Sequence, residues 1–188
     1  MLSIRALEQG DIQEIADAFA TLGWDKPASQ YERYFQEQEA GERAVRVAWW
    51  VTEGSDVFAG YLTVVWQSDY PPFLEGNIPE VVDFNVLPQF RRQGIGTRLM
   101  DEAECLIAKN STLSPPIAGI GVGMYADYGA AQRLYVKRGY IPDGRGIMYD
   151  IEPVPPGAQT VNDDSLVLFF TKVLEEKPLV YEGHSTPI

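Results

Sequence analysis

The stretch from Glu80 to Asn110 constrains the fold more than any other part of this chain. The run EVVDFNV is rich in β-branched and aromatic residues and is stopped by Leu87-Pro88, because proline cannot feed a sheet ladder. The next positions crowd two arginines, a glutamine and two glycines together: Arg91, Arg92, Gln93, Gly94, Ile95, Gly96. Ile95, Leu99, Met100, Ala103, Leu106 and Ile107 then recur at helical spacing, with Asn110 as a stop. A strand that ends, a glycine-rich turn and a helix that begins form a physical device as well as an α/β signature. The first N–H groups of a helix have no intrahelical partner, and the helix dipole adds partial positive charge there. Gly94 and Gly96 put no Cβ in the way, and Arg91 and Arg92 add full charges. The turn, with Gln93, Ile95 and Thr97, reads as an anion site suited to a diphosphate. The competing reading is that the glycines only turn the chain beneath solvated arginines.

The rest of the chain supplies a sheet for this unit. Residues 2–6 read as a strand, and Asp11 as the cap of a helix through Leu22, with Ile12, Ile15, Ala16 and Phe19 on one face. Pro27 opens a second helix that carries Tyr31, Tyr34 and Phe35 and ends near Gly41. The runs AVRVAWWVTE and VFAGYLTVVW, separated by Gly54-Ser55-Asp56, form a hairpin. SDYPPFLEGNIP reads as a loop by its prolines and glycine. IAGIGVGMY is a strand, GAAQRLYVKR a short helix ended by Gly139, and YIPDGRGIMYDIE a strand or hairpin arm turning at Pro142-Asp143-Gly144. SLVLFFTKVL is a final strand. The order β-α-α-β-β-β-α-β-α-β-β predicts a single domain over residues 1–188, mixed α/β, with a central mixed sheet flanked by helices. Its core spans 2–172, and residues 175–188 form a loose tail.

Composition narrows the function. Fifteen basic against 27 acidic residues give a net charge of −12, which disfavours a nucleic-acid partner and favours a cationic one. No apolar run approaches the ~20 residues that span a bilayer, and the first residues lack a basic segment followed by an apolar block, so no membrane role and a cytoplasmic location are expected. One cysteine and one histidine leave no internal disulfide and no metal site in view.

Two nucleotide fingerprints fail on spacing. Nothing matches G-x-x-x-x-G-K-[ST]. The glycines at 94 and 96 are followed by Leu99 where a dinucleotide loop needs a third, and Gly119, Gly121 and Gly123 run G-x-G-x-G. The combination instead resembles the GNAT superfamily of acetyl-CoA-dependent N-acetyltransferases. Arg91-x-x-Gly94-x-Gly96 matches its pyrophosphate loop, entered through FNVLP, and Ala131-x-x-Leu134-Tyr135-x-Lys137-x-Gly139-Tyr140 is similar to its second signature. The motifs stand in the family's order, and the likeness covers roughly residues 2–172. It implies acetyl-CoA as co-substrate, held by Phe84, Val86, Arg91, Arg92, Gln93, Gly94, Ile95, Gly96 and Thr97. Many members carry Asn three residues before Ala131; here Tyr128 stands there, and it joins the expected cofactor contacts as a departure from the pattern.

Amine acetylation needs a base for the ammonium, polarisation of the thioester carbonyl and a proton for the departing thiolate. The resemblance makes Tyr135 the general acid. For the base, Glu80 is similar in register to a glutamate used by some members; Asp83 is the rival, and a water relay is a third route. Asp83 and Asn85 are expected on one strand face, opposite Val82, Phe84 and Val86. The glycine face of GIGVG is read as the seat of a packed helix or a ligand arm. Trp49, Trp50, Trp66, Tyr70 and Phe73 are candidates for an acceptor pocket, and Asp69, Glu75, Glu80 and Asp143 for an acidic entrance to it. The reading that follows is transfer of an acetyl group from acetyl-CoA to a primary amine of a small molecule, by direct attack in a ternary complex, in a monomer or homodimer. The alternatives are a protein or peptide acceptor, or a non-catalytic acyl-CoA-binding regulatory domain.

Overall fold

A computed structural model describes residues 1–175, so most of the tail expected to be loose lies outside the described residues. One eight-stranded sheet runs through them: β1 (Leu2–Ala6), β2 (Arg43–Val51), β3 (Asp56–Val65), β4 (Glu80–Val86), β5 (Ile117–Gly123), β6 (Ile141–Tyr149), β7 (Glu152–Pro153) and β8 (Leu166–Val173). The strand order is β1-β2-β3-β4-β5-β8-β6-β7, antiparallel everywhere except between β4 and β5. The helices are α1 (Ile12–Thr21), α2 (Ala28–Glu39), α3 (Pro71–Glu75), α4 (Ile95–Asn110) and α5 (Gly129–Lys137). Among the described residues, no helix is long and apolar enough to cross a membrane.

The period-two pattern of the strands sorts the core into layers. Ala48, Ala59, Leu62, Val64, Val81, Ile120 and Val122 face α4 and α5, meeting Ile95, Leu99, Met100, Ala103 and Ile107. Val45, Val47, Trp49, Phe58 and Tyr61 face the other way, onto Ile12, Ile15, Ala16 and Phe19 of α1 and Tyr31 and Tyr34 of α2. Phe19 is fully buried, with its ring against Trp24, Tyr31, Phe58 and Tyr61. Beyond β4 that second face is covered instead by a small cluster of Tyr70, Phe73, Met148 and Phe169. Helices α4 and α5 are fastened to each other and to β8 by charge: Arg138 bonds Glu104 at 2.9 Å and Asp101 at 2.8 Å, and Lys172 bonds Glu104 at 2.8 Å.

Three local expectations change. Asp11 does not cap α1 through its side chain; it accepts two hydrogen bonds from Arg5, at 2.6 and 2.7 Å, and one from the Glu8 N–H, because a bidentate guanidinium competes better for a carboxylate than a neutral N–H does. The segment SDYPPFLEGNIP contains α3, since Pro71 and Pro72 occupy first-turn positions that lack an N–H demand. Pro142-Asp143-Gly144 does not reverse the chain. It lies inside β6, where the register against β8 jumps between Pro142 and Ile147 and Gly144 and Gly146 take left-handed φ of 84° and 82°. The actual reversal is the two-residue turn Asp150-Ile151, whose φ values are 49° and 62°.

Candidate active site

The parallel pair β4–β5 carries only two register contacts, Glu80 with Gly119 and Val81 with Ile120. Past them the strands separate, and the cause is a bulge. Against β3, Thr63 pairs with Val82 and Tyr61 with Asn85, so Asp83 and Phe84 together oppose Leu62. Asp83 sits there at φ 49°, a left-handed conformation that Asp tolerates better than most residues. Gly60 of β3 pairs with Val86, past the bulge; a Cβ on it would stand 2.5 Å from the Asn85 carbonyl oxygen. A bare backbone at Gly60 thus lets β4 lean toward β3 and away from β5. The bulge corrects one expectation: Val82 and Asp83 line the same cleft, while Phe84 and Val86 pack against the α4–α5 core.

On the α4 side of this gap stands the glycine-rich turn. Gly94 is the N-terminal flank of α4 at φ 80°, and the first intrahelical bond runs from the Arg98 N–H to the Gly94 carbonyl at 3.1 Å. No side chain caps the helix and its first turn holds no acid, so the N–H groups of Ile95, Gly96 and Thr97 are left for a ligand. A Cβ on Gly94 would meet nothing within 4 Å, whereas Gly96 makes room for the Phe84 ring at 3.1 Å. Arg91, Arg92, Gln93 and Gly94 are exposed, Ile95 is buried beneath them, and Thr97 is exposed one turn on. Arg91 Nε donates to the Val86 carbonyl at 3.0 Å and Gln93 Nε2 to that of Gln89 at 3.1 Å, which holds the turn to the end of β4. Free N–H groups, a dipole end and uncompensated arginines fit a diphosphate.

Tyr135 of α5 belongs to the same side. It is buried at 5% exposure, edge-on to Tyr140 with ring centroids 6.0 Å apart. Burial pushes its hydroxyl well above the ordinary phenol range, and the neighbouring Tyr128 adds to this. Tyr128 lies flat on β5: a Cβ on Gly123 would fall 2.5 Å from its ring. Its hydroxyl donates to Asp164 at 3.3 Å, and burial, Asp164 and lastly Asp83 raise its pKa.

The opposite face of the gap opens into a cleft of about 320 Å³ lined by Tyr34, Arg43, Val65, Gln67, Asp69, Tyr70, Glu80, Val82, Asp83, Ile151 and Phe169. Glu80 forms its inner wall, only 8% exposed. Burial pushes its carboxyl above the usual carboxylate range; hydrogen bonds from the Ser68 hydroxyl and the Gly121 N–H oppose that shift, and the charge of Asp69 reinforces it. The Asp83 carboxylate is used differently, accepting bonds from Lys26, Gln30, Tyr34, Tyr61 and Asn85. Arg43 is likewise engaged, by Glu37, by Thr63 and over the Tyr34 ring at 4.2 Å.

The glycine face of β5 receives side chains from several elements, the short helix α3 among them. Gly119 meets the Phe73 ring, Gly121 meets Phe169, Val167 and a Glu80 oxygen, and Gly123 meets Tyr128. Of the aromatic candidates only Tyr70 lines the cleft, stacked on Phe169 at 3.7 Å. Phe73 lies buried edge-on to that pair, Trp49 faces α1, and Trp50 stacks on Phe90. Of the acidic candidates, Asp69 and Glu80 line the cleft, Asp143 is taken up by the Tyr70 hydroxyl at 2.8 Å, and Glu75 is exposed on α3. Sequence reading missed Ser68, Tyr34, Phe169 and Ile151, which meet only in the folded chain; a β-branched residue at positive φ, such as Ile151, leaves no local signature.

The comparisons with known proteins agree with this fold. No curated protein matches the chain. Among solved structures, an N-acetyltransferase from Staphylococcus aureus Mu50 superposes with a TM-score of 0.64 at 16% identity, over 93% of this chain and 99% of that one. Arabidopsis thaliana NAA60 in complex with acetyl-CoA gives 0.65 at 13% identity, over 92% and 98%. The ribosomal-protein-S18-alanine N-acetyltransferase of Escherichia coli gives 0.61 at 15% identity, over 96% and 99%. The model of the Acetyltransferase (GNAT) family matches residues 11–140, well over half the chain, a range that includes the bulged strand, the glycine-rich turn and Tyr135. The chain thus belongs to the GNAT family of acetyltransferases, acyltransferases that take an acetyl group from acetyl-CoA and pass it to an amine.

Proposed function

We propose that the enzyme acetylates a primary amine of a small molecule by direct attack in a ternary complex, with Glu80 as base and Tyr135 as acid. The observation that carries this reading is Glu80: a buried carboxyl at the inner end of a cleft, on the strand whose separation from β5 opens the gap. Acetyl-CoA supplies the activated thioester carbonyl and the thiol leaving group. Its diphosphate is assigned to the N–H groups of Ile95, Gly96 and Thr97 with Arg91, Arg92, Gln93 and Gly94, and its arm to the gap edged by Phe84, Val86 and Tyr128. Glu80 and Tyr135 belong to opposite sides of the sheet, so a proton can be taken from the amine on one side and delivered on the other.

The acid–base assignment follows from the two environments. A carboxylate at its ordinary pKa is a weak base toward an ammonium, and burial strengthens Glu80 in that role. Burial keeps Tyr135 protonated in the resting enzyme; a thiolate departing into the same low-dielectric space is made more basic by the same desolvation. Asp83, the rival base, has its lone pairs occupied by five donors. The cleft's bounded volume and its aromatic wall support a small acceptor. The acidic balance favours a cationic acceptor over a nucleic-acid partner, and the enzyme is taken to be cytoplasmic, as a monomer or homodimer.

The test is release of CoA thiol from acetyl-CoA across a panel of small primary amines and of peptides with free N-termini. Turnover of the small amines, with peptides slow or inert, is the expected result. Preference for the peptides would transfer the acceptor to proteins, and thiol release with no acceptor at all would leave only hydrolysis.

A further inference from the structure

The site reading leaves Asp83 without a chemical task, although it is the most heavily bonded carboxylate in the cleft. Oδ1 accepts from Lys26 Nζ at 2.6 Å and Asn85 Nδ2 at 2.8 Å; Oδ2 accepts from Gln30 Nε2 at 2.7 Å, the Tyr34 hydroxyl at 2.9 Å and the Tyr61 hydroxyl. A carboxylate has about four lone-pair directions, so no acceptor site is left to take a proton from an incoming amine. Lys26 also bonds the Tyr61 hydroxyl at 3.1 Å, and Tyr61 touches Tyr31 at 3.4 Å, so the cage is closed on itself. Its members come from three places: the segment leading into α2 and α2 itself, strand β3, and the bulge.

The backbone shows what the cage does. Asp83 is in the left-handed region, which residues with a Cβ rarely adopt. It is also the residue at which the β3–β4 register slips, two positions after the last β4–β5 pair. With Gly60 allowing β4 to approach β3, the bonds to Asp83 hold the strand in its bent path. The same bonds tie Tyr34, a wall of the acceptor cleft, to the strand that borders the donor gap.

We infer that Asp83 is a positioning residue: its carboxylate pins the β4 bulge, keeps β4 parted from β5, and registers α2 against the gap. This inference rests on the reading that the gap takes the donor and the cleft the amine. The positioning role is distinct from that of Glu80, which touches the reacting proton.

The experiment compares Asp83→Ala, Asp83→Asn and Lys26→Met with the parent protein. Backbone amide exchange of residues 82–86 and 121–123, the acetyl-CoA-induced rise in Tm, and the pH profile of kcat/KM are read together, with Glu80→Gln run in parallel. Asp83→Ala should slow exchange in both segments as the strands close. It should also halve the acetyl-CoA-induced rise in Tm or more, and lower kcat/KM by ~10²-fold, an effect of the size that misplacing reacting groups produces. Asp83→Asn keeps the left-handed preference and half of the acceptor capacity, so it should restore part of each, and Lys26→Met should move all three readouts in the same direction as Asp83→Ala. In every one of these variants that folds, the acid limb of the pH profile should keep its midpoint. Loss of that limb in Asp83→Asn would make Asp83 the base and overturn the inference. Unchanged exchange and unchanged acetyl-CoA response in both Asp83 variants would overturn it as well. If Glu80→Gln alone leaves the limb in place, the proposed base is wrong while the role of Asp83 still stands on exchange and donor binding.

Discussion

Replacing Phe73 by alanine should cost about 3–5 kcal/mol, the usual range for deleting a buried ring. Phe73 is 1% exposed, and its ring lies edge-on to Tyr70 and Phe169 at centroid distances of 5.0 and 5.5 Å. On its other side it rests on the bare backbone of β5, where a Cβ built on Gly119 would stand 2.3 Å from Cε2. That contact makes a second substitution informative. Gly119→Ala alone must displace a ring held on two sides, an overpacking cost of about 1–3 kcal/mol. In the double variant the ring is absent, the clash vanishes and the new methyl enters the vacated space. The two costs should therefore fail to add, the double variant being more stable than their sum by about 1–3 kcal/mol, the clash itself. For a chain of this length, about 2–4 °C per kcal/mol puts Phe73→Ala on the order of 10 °C below the parent in Tm. Urea and thermal unfolding followed by circular dichroism measure all four corners of the cycle. Additivity within about 0.5 kcal/mol would refute the claim that the bare backbone at Gly119 seats Phe73. The variants should also raise the acceptor KM, because the Tyr70–Phe169 wall loses its support.

Three further outcomes are expected. Tyr135→Phe keeps the ring in the core and removes only the proton donor, so kcat should fall by ~10²-fold while Tm and acetyl-CoA affinity hold; unchanged kcat on a competent amine would remove Tyr135 from the mechanism. Gly94→Asp places a carboxylate on the donor turn at a φ of 80° that Asp tolerates, and should abolish the rise in Tm caused by acetyl-CoA; tight binding by the variant would show that the turn is not the diphosphate site. Ile151, 42% exposed and β-branched at φ 62°, sits in a conformation costing about 1–3 kcal/mol. Ile151→Asn should thus raise stability by about 1 kcal/mol or more yet change the ranking of accepted amines; a variant neither stabler nor altered in selectivity would contradict the strain.

Much of the fold was legible because it rests on periodicities. The helical stripe from Ile95 to Ile107, the paired runs around Gly54-Ser55-Asp56 and the proline-closed strand at Glu80 are local patterns, and the elements follow them. The glycine-rich turn was legible for the same reason: the backbone N–H groups it leaves open lie where a strand–glycine–helix sequence dictates. The short helix α3 left no such trace, since one turn buries a single ring, Phe73, and shows no period. The bulge at Asp83 left none either. Nothing in EVVDFNV marks a left-handed aspartate, because what holds it there comes from Lys26, Gln30, Tyr34 and Tyr61, 22 to 57 residues away in sequence. The expectation that Val82 would face away from Asp83 failed at this point, as period two breaks wherever two residues oppose one. The cleft beside Glu80 is the least legible part, since α2, β4, the β6–β7 turn and β8 meet there only in the folded sheet.

Whether Glu80 is the base can be decided by the pH dependence of kcat/KM for the parent and for Glu80→Gln on one accepted amine. A base works deprotonated, so a raised pKa moves the acid limb upward in pH: activity should rise with unit slope through a midpoint above the ordinary carboxylate value of 4.5 and then level until other groups titrate. Glu80→Gln, which keeps the shape of the side chain beside Ser68 and Gly121, should lose that limb along with most of the activity. A Glu80→Gln enzyme that retains both the limb and the parent's rate would contradict the account.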